Sequence, residues 1–243
     1  EGPMEALIFQ LYGPLASWGA PAVGETRPSS DHPGRAALLG LLASALGIRR
    51  DEGPGQQALA SSVRFAVKQH SAGRLMRDYH TVQVPGRDKK ARYFTRKDEL
   101  AVPKEKLNTV LSSREYRQDG LWQVAVLLNA QSDWSLEELG DALRSPVFMP
   151  YLGRKACPLA APLAPQKVQA NGLREAFAAV PPRICDQQGR WLHLQNSVDF
   201  YWEGDAGDIA VQDTRQPTDE VISRERWQFG SRQEHHARIR EES

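Results

Sequence analysis

Cysteine is nearly absent: the 243 residues hold two, Cys157 and Cys185. No CxxC pair occurs and the six histidines are scattered, which excludes the framework of a structural zinc site. Two cysteines leave room for one disulfide, and without a secretory leader they fit a reduced, cytoplasmic protein better. Long apolar runs are also missing. The longest apolar helix candidate, residues 36–48, is too short to cross a bilayer, so no membrane partner is expected. Walker A spacing, GxSxG and the paired carboxylates of a two-metal nuclease are absent, which leaves nucleotide hydrolysis, α/β-hydrolase chemistry and metal-dependent cleavage without a motif. No metal or cofactor is expected. The tripeptide Glu1-Gly2-Pro3 ahead of Met4 reads as a tag remnant.

Net charge is low as well, at +1, so any polyanion site must come from local segregation. That segregation is present. Residues 83–117 carry ten Lys/Arg against five Asp/Glu, and residues 144–190 carry seven against two. Residues 199–220 reverse the balance, one against seven. What remains is an ordinary globular mixture, 40% apolar and 25% charged.

Along the chain, Ala6–Tyr12 is a bulky apolar run stopped by Gly13-Pro14 and predicts a strand. The apolar stretch 35–46 predicts a buried helix, with Asp31 as N-cap and Gly47 as its stop. Residues 63–68 alternate as a second strand, and 121–128 read as a third. Ser135 and Glu138 form a capping box opening a short helix to Leu143, and a fourth strand falls within 159–169. The order β-α-β-insert-β-α-β predicts an α+β, ferredoxin-like (RRM-like, βαββαβ) domain over 4–170. The insert, at about 70–118, is too long for plain loop, and Thr81–Val84 and Ala91–Thr95 suggest a β-ribbon. Residues 171–243 read as a small C-terminal β appendage with strands at 191–194 and 198–202 and a charged tail.

The insert is the strongest chemical signal. Arg87, Lys89, Lys90, Arg92, Arg96 and Lys97 fall within eleven residues, interleaved with Tyr93 and Phe94. Cations neutralise phosphates and rings stack on unpaired bases; a solvated charged hairpin is the plainer reading. Arg27, His32 and Arg35 surround the start of the first helix, where a phosphate or simple capping both fit. Trp18 is either a stacking platform or core. Gly153-Arg154-Lys155, after Tyr151, sets two cations beside a glycine that lets a ligand approach the backbone. Arg226 and Arg232 offer a further phosphate contact or a salt-bridged strand end. An acid–base pair for metal-independent RNA cleavage would have to be His80 with Tyr79.

Leu11–Gly19, Thr26-Arg27-Pro28, Leu38–Leu42, Arg77–Val82, Arg114-Glu115-Tyr116, Pro150–Leu159 and Gln228–Arg232 form a series of distinctive segments that spans nearly the whole chain, in order from residue 7 to 232. This series resembles CasD-type proteins, the RAMP-superfamily subunits of type I-E CRISPR Cascade. The resemblance implies a RAMP-type ferredoxin-like fold with a thumb-like ribbon. It implies a non-catalytic subunit that holds the 5′ handle of the CRISPR RNA and caps the backbone filament. Its partners would be the backbone subunit, the large subunit and, through the assembled complex, target DNA. In a related subtype the equivalent subunit cleaves precursor RNA, which keeps metal-independent endoribonuclease as the alternative. With the matched blocks, the expected RNA contacts are Trp18, Arg27, Arg35, Arg77, Tyr79, His80, Arg87, Lys89, Lys90, Arg92, Arg96, Tyr151, Arg154, Lys155, Arg226 and Arg232.

Overall fold

The computed structural model describes residues 2–19, 22, 24–88, 90–192, 194–223, 226 and 228–241. The first apolar run becomes strand β1 (Met4–Ala16). Leu7, Phe9 and Leu11 enter one hydrophobic cluster, while Ala6 and Ile8 enter another. Side chains alternate along a strand, so a run that is apolar at every position needs cover on both faces.

A short strand β2 (Thr26–Arg27) precedes helix α1 (Arg35–Leu46), which ends at Gly47 as expected. Its start differs from the sequence reading. Gly34, not Asp31, is the N-cap, and it has no side chain to offer. Asp219, distant in sequence, accepts from the Arg35 backbone N–H at 2.7 Å instead. Helix α2 (Gly53–Ser62) has no counterpart in the sequence reading. It leads directly into β3 (Val63–Ser71).

The insert is a ribbon, as its composition suggested. Strand β4 (Arg74–Pro85) pairs antiparallel with the first half of β5 (Leu107–Leu128), from Arg74 opposite Gln118 to Pro85 opposite Leu107. Thr81–Val84 lies in that ladder. Ala91–Thr95 does not: it is loop, leading to helix α3 (Arg96–Leu100), which Thr95 and Asp98 cap reciprocally. The second half of β5 enters the sheet between β1 and β3.

Helix α4 (Leu136–Arg144) opens with the Ser135/Glu138 box, and β6 (Gln166–Ala170) follows. Then come α5 (Leu173–Ala179), α6 (Asp186–Trp191), β7 (Ser197–Trp202), β8 (Asp213–Arg215), β9 (Glu220–Ser223), β10 (Gln228–Gly230) and β11 (Glu234–Arg240). The strand expected at 191–194 is contradicted, since Trp191 ends α6; His193 lies outside the described residues.

The main sheet runs β6-β1-β5-β3-β7-β11-β8, with β2 and β4 also paired to β5. Every pairing is antiparallel except β2 with β5. Helices α1 and α4 cover one face through Leu38, Leu42, Leu139 and Leu143, and α5 covers the other through Leu173 and Phe177. The segment after residue 170 continues this sheet through β7, beside β3; β9 and β10 pair apart from it.

Several carboxylates of the acidic strip 199–220 are engaged within the fold rather than left free, though Asp205, Asp208 and Asp213 are exposed. Glu203 lies 2.9 Å from Arg35 and 3.4 Å from Arg232, and Asp219 holds Arg232 at 2.6 Å. Asp208 accepts from the backbone N–H groups of Arg174 and Glu175 at the start of α5. Asp199 binds His236 at 2.8 Å. Next to this network His32 is clasped by Asp31 at 2.6 Å and Glu234 at 3.0 Å, with Tyr201 stacked 3.6 Å away.

Burial opposes charge on all three clasped groups, yet the mutual hydrogen bonds win. Asp31 and Glu234 are each lowered to about 2, and His32 is raised. Lowered carboxylates stabilise the fold above their unfolded pKa and lose that contribution as pH falls toward 2. A raised histidine acts the other way: its contribution is complete below about 6.5 and is lost as pH rises through the folded value. The free energy that His32→Gln removes should therefore shrink as pH rises above neutrality. Denaturant melts of both proteins across pH check this, and a pH-independent difference would refute it.

Candidate nucleic-acid interface

The ribbon gives the basic insert its geometry. Opposite residues of an antiparallel pair share a face, and successive residues alternate. The pairs Arg77/Glu115 and Tyr79/Ser113 therefore occupy one face, and Asp78/Arg114 and His80/Ser112 the other. Strand β2 adds Arg27 beside Arg114. Arg77 is bound to Glu115 at 2.8 Å, and Glu115 also accepts from the Ser29 backbone at 3.2 Å. These contacts, the Arg77 bond first, hold the Glu115 carboxyl below its ordinary range. Glu115 thus fastens the ribbon to the loop before α1, while the Arg77 side chain that pairs with it stays largely exposed.

Tyr79 and His80 point to opposite faces, being consecutive on β4. They cannot address one phosphate together as base and acid. His80 lies 3.8 Å from Asp78, beyond hydrogen-bond range.

At the ribbon's far end Arg87, Lys90, Arg92, Arg96 and Lys97 are exposed, and so is Phe94, at 88%. Tyr93 is half-buried. Arg96 reaches Glu99 one turn along α3 at 2.5 Å, and it donates to the Gln83 carbonyl of β4, which ties α3 to the ribbon. Lys89 lies outside the described residues. A bare aromatic ring among cations is the composition that grips a flexible polyanion with stackable bases.

The loop 150–158 sits against the start of the ribbon. Gly153 has φ +81°, and a Cβ there would fall 1.9 Å from the Ser17 carbonyl oxygen, so only glycine fits. That close approach places the Arg154 guanidinium 5.1 Å above the Tyr116 ring, on the ribbon face that carries Arg114. Arg27, Arg114, Arg154 and Lys155 thereby gather around one end of the ribbon. Tyr151 and Lys155 are exposed. Arg114 was not singled out from the sequence; the signal for it was its place in Arg114-Glu115-Tyr116, within the basic count.

Three expected contacts are corrected. Trp18 is core, 3% exposed and packed edge-to-face on Trp122. Arg35 is buried, donates to the Val63 and Ala60 carbonyls and pairs with Glu203 and Glu220. Arg232 is buried among Asp219, Glu203 and Glu234, which together drive its pKa up against the burial that opposes charge. A buried cation with its carboxylates in place has no donor for a phosphate. Arg226 is exposed, on the turn between β9 and β10. Both cysteines are free thiols, Cys157 buried and Cys185 exposed. Among the described residues no cluster of three or more His, Cys, Asp or Glu could hold a metal, and no helix is long and apolar enough to cross a membrane.

Comparison with known proteins adds four findings. A family model described as CRISPR-associated protein (Cas_Cas5) matches residues 6–234. The CRISPR system Cascade subunit CasD of Escherichia coli (strain K12) is 37% identical over 177 residues, 72% of this chain and 77% of that protein. A chain of a CRISPR RNA-guided surveillance complex superposes with a TM-score of 0.65 at 24% identity, covering 97% of this chain and 90% of that one. A Cas protein crystal structure gives 0.59 at 21% identity, covering 97% and 95%. At those identities the two superpositions concern the fold alone.

Proposed function

The chain belongs to the Cas5 family of CRISPR-associated proteins, and from that premise we propose that it is a non-catalytic, CRISPR RNA-binding subunit of a type I-E Cascade surveillance complex. It holds the 5′ handle and caps the backbone filament. The observation that carries this reading is the ribbon: paired strands ending in exposed Arg87, Lys90, Arg92, Arg96 and Phe94, with Arg27, Arg114, Arg154 and Lys155 at its other end. Cations at both ends would track a sugar–phosphate backbone, and the ring would slide between bases of any identity. Partners on this reading are the CRISPR RNA, the backbone and large subunits, and target DNA through the assembly.

We read the core as ferredoxin-like. The support is the strand order β6-β1-β5-β3, with α1 and α4 as the two crossovers on one face. The opposed faces of Tyr79 and His80 favour binding over endoribonuclease chemistry. Incubating the purified chain with a repeat-containing precursor RNA in EDTA should give no specific cleavage; cleavage abolished by His80→Ala would overturn the reading. Handle recognition has its own test. Assembly with the neighbouring subunits should fail with an altered handle and tolerate altered guide nucleotides. Assembly that follows the guide and ignores the handle would refute it.

A further inference from the structure

A groove of about 700 Å³ opens where the ribbon meets the sheet. It is lined by residues 69–74 and 118–119 and by Trp191, Leu192, Gln195, Ser197 and Asp199. None of its lining residues is among the cations already placed at the ribbon's two ends. Trp191 stands 62% exposed at the C-terminus of α6. A large indole left open beside a polar groove is a ring without a partner.

His70 supplies an acceptor of fixed identity. The Gln123 amide nitrogen donates to the Val180 carbonyl at 2.5 Å, which turns the amide oxygen toward His70. His70 Nε2 must therefore donate to that oxygen, at 2.8 Å, and Nδ1 keeps its lone pair. Burial, with the Lys68 ammonium nearby, pushes His70 down to about 4, so the ring is neutral at physiological pH. A neutral acceptor suits a base-edge N–H and offers nothing to a phosphate. The phosphate partner is Arg74, exposed at the first position of β4, with no ion pair among the described residues. Arg238, also lining the groove, is 3.4 Å from Asp199.

From the exposed Trp191 ring, the fixed Nδ1 acceptor of His70 and the Arg74 cation in one groove, we propose that this groove takes a single unstacked nucleobase with its adjoining phosphate. The base stacks on Trp191, its Watson–Crick edge donates to His70, and Arg74 holds the phosphate. The RNA-binding reading enters only as the source of the base: a strand tracked by the ribbon reaches the groove at the ribbon's foot.

Ultraviolet cross-linking tests this on the full chain, using single-stranded RNA carrying 5-iodouridine and, separately, 5-iodouridine monophosphate. The expected result is a cross-link on the peptide containing Trp191. Trp191→Ala should weaken RNA binding about five-fold or more, with Trp191→Phe keeping most of the affinity, as stacking requires. Arg74→Gln should weaken the polymer and the monophosphate alike. Both side chains are exposed, so melting temperatures should not move. A cross-link to the RNA alone assigns the groove to a polymer's base; one to both probes admits a free nucleotide. No cross-link at Trp191 with either probe, or wild-type affinity in Trp191→Ala, overturns the proposal. Impaired Trp191→Ala beside an unaffected charge-reversed ribbon would fail the ribbon reading and leave the groove standing.

Discussion

Replacing Arg35 with alanine is expected to cost about 3–5 kcal/mol of folding free energy, the range for removing one partner of a buried ion pair. Arg35 is bound by four groups: Glu203, Glu220 and the carbonyls of Ala60 and Val63. Its removal strands Glu203, whose carboxyl burial already pushes up against the pull of Arg35 and Arg232. The network joins the start of α1, the end of α2, the start of β3, the residue that follows β7, and β9, so one deletion loosens all of them. The Arg35 guanidinium also lies over the Phe65 ring, 5.7 Å from its centroid, and alanine leaves that ring face bare. Urea denaturation of wild type and Arg35→Ala reads the difference directly. A decrease below about 1 kcal/mol would place Arg35 with exposed pairs of little worth. Arg35→Met, which keeps the stem and removes the charge, should leave the same stranded carboxylates and a similar decrease.

The second large effect concerns binding. Reversing Arg87, Lys90, Arg92 and Arg96 to Glu should leave stability nearly unchanged, since all four are exposed. RNA affinity should fall by about tenfold or more. The slope of log affinity against log salt should flatten by about 0.7 for each single-strand phosphate that the protein no longer neutralises. Arg96 also fastens α3 to β4 through the Gln83 carbonyl, so a triple variant sparing it separates ribbon order from phosphate binding. Filter binding across a salt series measures affinity and slope together. An unchanged slope in the quadruple variant would remove the ribbon from the RNA path. The fall should be alike for unrelated sequences, because cations on phosphates do not read bases.

Elements whose cause is local were legible in the sequence. Strand β1, helix α1 with its Gly47 stop, the second half of β5 and the Ser135/Glu138 box follow from periodicity and capping chemistry. Helix α2 was hidden by a Gly-Pro-Gly opening and a weakly apolar body. Ala91–Thr95 alternates like a strand, but its neighbours provide no ladder, and the Thr95 cap turns the chain into α3. The cationic ribbon could be read because its charges are contiguous. Arg35 and Arg232 could not be told from surface cations, because their carboxylates include Glu203 and Asp219, which no local window joins to α1. Asp31 is a credible cap on spacing alone; in the fold its carboxylate is committed to His32. The groove at Trp191 depends on α6 meeting the foot of the ribbon, which no motif encodes.

Strand β5 passes from ribbon to sheet as one continuous run of 22 residues. At about 3.3 Å per residue that is a rod of roughly 70 Å, anchored at one end between β1 and β3. A rod fixed at one end is a cantilever. Load applied by a nucleic-acid strand at Arg87–Lys97 arrives as torque at Asp119-Gly120, where Asp119 adopts a left-handed φ of 55° and Gly120 packs on the Trp122 ring. A rise in stiffness at the tip on loading would thus be felt at the centre of the sheet, as slower amide hydrogen exchange along 121–128.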